Sequence, residues 1–343
     1  MMLRLLAFLA LVLAAPAAAQ APKPLFAADD AIHIVIRGPL GGIIRSRSSD
    51  PVAGTLTYGS ESLPVNLSVR GITRRMTDTC DFPPLRVDFT TPPPATSPFA
   101  GQRRLKLVTH CRREAGFQQY VLLEYAAYRM FNVLTPASFR VRLANVDYQG
   151  EDGKPMISRI GFFIEDTDDV AKRNGVKELH APARIPVTAL SPAHAARYAL
   201  FQQMISNHDW SMRAGPAGDD CCHNAKLIGG SDLATGTVIP VPYDFDFSGL
   251  VSPPYATPPD QLNINSVRQR VYRGYCVHNR EVLAAAAQMR SARPQMLAAL
   301  GATPGLDPRT LQKAQAFLEP FFAQIATDAD VSAKLLKVCL GAS

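Results

Sequence analysis

Tryptophan occurs once, at Trp210, and aromatic residues make up only 8% of the 343-residue chain. No run of lysine and arginine forms a basic stripe, so a nucleic-acid-binding surface has neither the stacking rings nor the concentrated charge it needs. The formal net charge of +7 instead suits an anionic ligand, an acidic partner or an envelope surface, without choosing among them. No Cys-x-x-Cys pair is present, which sets a zinc site from Cys221, Cys222 and His223 behind disulfide bonding. Internal repeats are missing, and beyond the first twenty residues no segment is apolar for long enough to span a bilayer.

What is present begins with "MMLRLLAFLALVLAAPAAAQ". Arg4, the apolar run Leu5 to Ala15 and the small residues Ala17 to Ala19 have the layout of a signal peptide over residues 1–19. No cysteine follows the expected cleavage site, so the mature chain is expected in the periplasm or outside the cell without a lipid anchor. Six cysteines in an exported chain favour disulfides. Cys80 and Cys111 are the expected pair in the first half, and Cys221 and Cys222 are each expected to bridge to Cys276 or Cys339.

A chain of this length exceeds the usual single core, which predicts two lobes. From Ala31 to Leu107 the stretches "IHIVI", "GTLTY", "LPVNLSVRG", "PLRVDF" and "RRLKLV" alternate or bunch β-branched residues between turn signals. Helical spacing takes over in "FQQYVLLEYAAYRMFNVL", 117 to 134, and "SFRVRLANVDYQG" and "SRIGFFIED" return the chain to strands. Beyond Pro186 the periodicity is helical, in "SPAHAARYALFQQMISN" and over 279 to 299 and 307 to 339. The expected fold is α+β and bilobal, like a protein kinase. A β-rich nucleotide-binding lobe with one inserted helix would span 20–185, and a mainly helical lobe 186–343.

Within that order lie the residue types that phosphoryl transfer needs. Lys106 stands on a strand to meet phosphate, and Glu124 on the next helix is its expected partner, with Arg140 and Arg142 as alternatives. Asp209 in "NHDW" would serve the acceptor hydroxyl; Asn224 in "CCHN" and Asp244 and Asp246 in "YDFDFSG" would hold a metal. Asp209 and Asn224 also suit ordinary turns, and His208 and His223 receive no catalytic role. Read as a strand, "YDFDF" puts Asp244 and Asp246 on one face, where two carboxylates repel unless a cation lies between them. Hard oxygen ligands make that cation magnesium or manganese rather than zinc.

The blocks "VNLSVRGITRR", "RRLKLVTHC", "LLEYAAYRMFNVLTPASFRVRL", "GFFIEDTDDVAKRNG", "FQQMISNHDWS", "HNAKLI" and "VPYDFDFSGLV" together resemble the CotH-type secreted protein kinases over roughly residues 60 to 250. The resemblance implies ATP and Mg2+ (or Mn2+) as cofactors. It puts Lys106, paired with Glu124, on the ATP phosphates, Glu165 beside the adenine, Asp209 in the catalytic loop, and Asn224 and Asp244 on the metal. The chain departs from ordinary kinases in lacking a Gly-x-Gly-x-x-Gly loop, and Gly71 with Arg70, Arg74 and Arg75 is expected to take that loop's place on phosphate. The expected reaction is transfer of the ATP γ-phosphate to a protein or envelope-associated hydroxyl. The alternative is a non-catalytic envelope-assembly or nucleotide-binding scaffold.

Overall fold

The computed structural model describes residues 20–230 and 233–341; the expected signal peptide lies outside the described residues. Strand β1 (Ile32–Arg37) leads through the short helix α1 (Leu40–Ser46) into β2 (Val52–Tyr58), β3 (Glu61–Val69), β4 (Leu85–Phe89) and β5 (Arg104–Val108). Helix α2 (Gln118–Leu134) follows, then β6 (Val141–Gln149), β7 (Pro155–Ile164), α3 (Thr167–Arg173) and β8 (Lys177–Leu179). The remainder comprises α4 (Pro192–Ile205), β9 (Ala225–Gly229), β10 (Ile239–Pro242), α5 (Asn279–Gly301), α6 (Pro308–Gln324) and α7 (Asp328–Lys334).

The first seven strands close on themselves in the order β1-β2-β3-β4-β5-β7-β6. Closure comes from β1, which runs parallel to β6 from Ile32 opposite Ala144 to Arg37 opposite Gln149. The other neighbouring pairs are antiparallel. Alternate residues fill the interior: Ile32, Ile34 and Ile36 on β1, Leu63, Val65 and Leu67 on β3, and Leu105 and Leu107 on β5 are all buried. A closed sheet leaves no free edge, which a row of hairpins alone cannot achieve.

This architecture overturns the expected bilobal kinase-like fold. The β-rich half is a closed barrel, and the later part of the chain is not mainly helical packing: β9 and β10 join β8 in a three-stranded antiparallel sheet. Helix α2 is buried almost all round, as a core helix must be, and packs against β7 and α5. One continuous apolar core runs from Val108 on β5 through α2 and α4 to Leu335, while a second fills the barrel. The helix expected over 307 to 339 breaks into α6 and α7. No described helix is long and apolar enough to cross a membrane.

Three disulfides are present. Cys80–Cys111 forms as expected, with Cα atoms 4.6 Å apart. The other assignment is corrected: Cys221 bonds to Cys222 and Cys276 to Cys339. Cys276 and Cys339 meet because Tyr275 and Leu340 bridge as short parallel segments, the Cys276 amide donating to the Leu340 carbonyl at 2.9 Å. The Cys221–Cys222 turn lies elsewhere, opposite Ala181 and with both sulfurs near the Met212 carbonyl.

Candidate functional site

Where the barrel meets the β8-β9-β10 sheet, a cavity of about 580 Å³ is lined by Arg70, Gly71, Arg74, Lys106, Asp209, His223, Asn224, Lys226, Tyr243, Asp244 and Asp246, among others. Eight of the eleven residues singled out in the sequence therefore share one space; Glu124, Glu165 and Arg75 do not line it. Arg70 directly follows β3, and Gly71 comes next at φ +83°, a left-handed turn that a side chain would strain. That turn aims the strand end at the cavity.

Three cations converge on one ring. Lys106 Nζ lies 5.1 Å and Lys226 Nζ 5.8 Å from the centre of Tyr243, and Arg70 donates from Nη2 to the Tyr243 hydroxyl. Among the described residues none of the three forms an ion pair, because the site's paired carboxylates take other partners. Burial, reinforced by Arg70, brings Lys106 down to about 8. Cation–π contact offsets part of the cost of holding like charges together, and an anion entering the cavity would offset more. Lys226 was missed in the sequence, although it sits between buried Ala225 and Leu227 as Lys106 sits between Leu105 and Leu107. The same alternation was the available signal.

The acidic side is delivered by two loops. Asp209 follows α4, and both its carboxylate oxygens are engaged: His223 Nε2 meets Oδ1 at 2.6 Å and Asn224 Nδ2 donates to Oδ2 at 2.9 Å. Asn224 Nδ2 also donates to the Asp209 carbonyl at 2.7 Å, which turns the amide oxygen the other way. Strand β10 ends at Pro242, and Asp244 takes a left-handed backbone at φ +60°. The period-two strand expected for "YDFDF" therefore does not form. The Asp244 amide donates to the Tyr128 hydroxyl at 2.9 Å, yet no donor among the described residues reaches its carboxylate. Desolvation first, then Asp246 and Glu124, hold that carboxyl well above the usual range.

Glu124 does not meet Lys106, nor Arg140 or Arg142. Its partner is Arg74, whose Nη2 lies 2.5 Å from Glu124 Oε2 and whose Nε lies 3.0 Å from Asp246 Oδ2. Tyr255 completes the group through hydrogen bonds to Arg74 and Asp246. Even with Arg74 beside it, burial pushes Glu124 up to about 7. Glu165 is fully buried and bolted to Arg173 by two 2.9 Å contacts, with the Arg140 amide donating to Oε2 at 3.0 Å. It lines no part of the cavity and holds the β7–α3 junction to the start of β6. Arg75 donates to the Arg47 carbonyl at 2.6 Å and also stays away from the cavity.

Among the described residues no three His, Cys, Asp or Glu side chains converge as a metal cage. A divalent ion that carries nucleotide phosphates does not need one, since magnesium is commonly held by one or two carboxylates with phosphate and water completing its shell. The donors that fit are the unpartnered carboxylate of Asp244 and the amide oxygen of Asn224. Asp246 contributes less, because Arg74 and Tyr255 already occupy its Oδ2. No family model and no curated protein sequence matches the chain.

Proposed function

We propose that this cleft binds a nucleoside triphosphate with magnesium or manganese and transfers its terminal phosphoryl group to a hydroxyl on a protein or envelope-associated acceptor outside the cytoplasm. The observation that carries this reading is the division of one cavity into an unpaired cationic wall, Arg70, Lys106 and Lys226, and an oxygen-bearing wall, Asp209, Asn224 and Asp244. The sequence blocks that resemble CotH-type kinases, and three disulfides suited to an oxidising compartment, support it.

Phosphoryl transfer asks the protein for orientation and charge neutralisation rather than covalent chemistry. Arg70, Lys106 and Lys226 supply cationic donors for phosphate oxygens. Asp244 and the Asn224 amide oxygen, with Asp246 behind them, would hold the metal, whose contribution when bound is to neutralise charge on adjacent phosphate oxygens. Asp209 presents a carboxylate at the same cavity, where it orients the acceptor hydroxyl and takes its proton. Glu124 acts on none of these directly; it fixes Arg74.

Calorimetric titration of the disulfide-bonded protein with ATP, with and without magnesium, followed by an assay of γ-phosphate transfer to itself and to casein, tests the proposal. Metal-dependent binding together with transfer is expected, and Asp209→Asn should bind as wild type does while losing transfer. Absence of metal-dependent binding overturns the reading. Binding without transfer to any acceptor makes the nucleotide-binding scaffold the better account.

A further inference from the structure

His223 stands fourteen residues beyond Asp209, yet the fold returns it to that carboxylate. Its backbone is held on both sides, the His223 amide donating to the Ala214 carbonyl at 3.0 Å and the Ser211 amide donating to the His223 carbonyl at 2.9 Å. Ser211 Oγ accepts from the Ala214 amide at 3.0 Å and ties the intervening turn. These contacts leave the ring facing the cavity, with Nε2 at 2.6 Å from Asp209 Oδ1. A carboxylate only accepts hydrogen bonds, so Nε2 carries the hydrogen.

The pair sits at the rim, with side chains 36% and 35% exposed for His223 and Asp209. An ion pair so exposed adds little to stability, so holding the fold together does not account for the arrangement. Its effect is geometric. Asn224 alone would fix one oxygen and leave the carboxylate free to turn about its terminal bond; a donor on each oxygen leaves one orientation.

We propose that His223 is a positioning residue, which with Asn224 clamps the Asp209 carboxylate so that its remaining lone pairs point at an acceptor hydroxyl in the cavity. The proposal rests on the phosphotransfer reading for the purpose of the clamp, while the clamp itself is measurable without it. In this role His223 acts through Asp209. Its loss should lower turnover and spare nucleotide binding, because a misdirected reacting group costs rate rather than ground-state affinity.

The test compares wild type, His223→Ala and His223→Gln, the last of which keeps a side-chain donor of similar reach. Four quantities are measured on the full disulfide-bonded chain: kcat and KM for Mg-ATP in γ-phosphate transfer to casein, the melting temperature, and the Asp209 side-chain conformation in crystals of each variant. His223→Ala should lower kcat by roughly 10- to 100-fold with KM and melting temperature near wild type. Asp209 should then occupy more than one rotamer, and His223→Gln should restore both the rate and the single rotamer. Unchanged kcat in His223→Ala overturns the proposal, as does a loss shared equally by kcat, nucleotide affinity and melting temperature, which would mark a structural role. A wild type that binds Mg-ATP and never transfers phosphate overturns the transferase reading. The crystals still decide the clamp, because one unchanged Asp209 rotamer in His223→Ala would overturn it.

Discussion

Glu165 and Asp244 each follow a strand that ends near the cleft, and the fold treats them in opposite ways. Glu165 is fully buried with both oxygens satisfied, by Arg173 at 2.9 Å twice and by the Arg140 amide. Asp244 opens onto the cavity with no donor among the described residues on its carboxylate, near Asp246 and Glu124. A buried charge with all its partners in place serves the architecture. A carboxyl crowded by other acids keeps its proton or takes a cation, so its ionised form awaits something cationic. The difference separates a structural acid from a binding one without any appeal to chain order, and substitutions at the two positions should separate as well.

The largest effect belongs to Glu165. Glu165→Ala leaves Arg173 buried without its anion, and breaking such a pair should lower unfolding free energy by about 3–5 kcal/mol. Chemical denaturation measures the loss, and any protein that still folds should bind Mg-ATP with near-normal affinity. A stable Glu165→Ala protein that cannot bind nucleotide would return Glu165 to the site.

Asp244→Asn is expected to do the reverse. Asn tolerates the left-handed backbone at φ +60°, so the fold should survive. Because the folded-state pKa of Asp244 is raised, its favourable contribution is greatest below the unfolded carboxylate pKa and is lost as pH rises. Removing the charge should therefore leave stability at neutral pH unchanged or slightly higher. Magnesium-dependent ATP affinity should fall by roughly 100-fold, about 2.7 kcal/mol. Calorimetry beside a thermal melt reads both, and a destabilised variant with intact metal-dependent affinity would sink the assignment.

The contrast between these two acids was not visible in the sequence, where each is an acidic residue beside an apolar strand. Local periodicity carried the strands of the barrel, α2 and α4, because alternation and helical spacing are properties of a few neighbouring residues. Closure was not legible: β1 and β6 pair in parallel across more than a hundred intervening residues, and nothing in "IHIVI" specifies its second neighbour. The left-handed turn at Asp244 broke a strand that alternation alone extends through Phe247. Convergence of Lys106, Asp209, Asn224 and Asp244 on one cavity was legible from residue type and order. The partner of Glu124 was not, since Arg74 and Lys106 both lie on the cleft side and only the packing of the 71–76 turn chooses between them.

The smallest expected effect concerns the cationic wall and sharpens the comparison by supplying its opposite sign. Lys106 resembles Asp244 in having no ion-pair partner among the described residues, and burial with Arg70 nearby lowers it from 10.5 to about 8. A lysine with a depressed folded-state pKa prefers its neutral form, so between about pH 8 and 10.5 the apo protein should gain stability from this group as pH rises. Phosphate reverses the preference, because only the ammonium form pairs with it. ATP affinity should therefore weaken as pH climbs through about 8, and binding above that pH should draw a proton from the buffer. Titrations in buffers of different ionisation enthalpy count that proton. Lys106→Met should lose roughly tenfold in affinity near pH 7, about 1.4 kcal/mol, and should remove most of the proton uptake. The residual affinity is left to Arg70 and Lys226. If proton uptake and its pH dependence persist unchanged in Lys106→Met, Lys106 is not the titrating group and its assignment to phosphate falls.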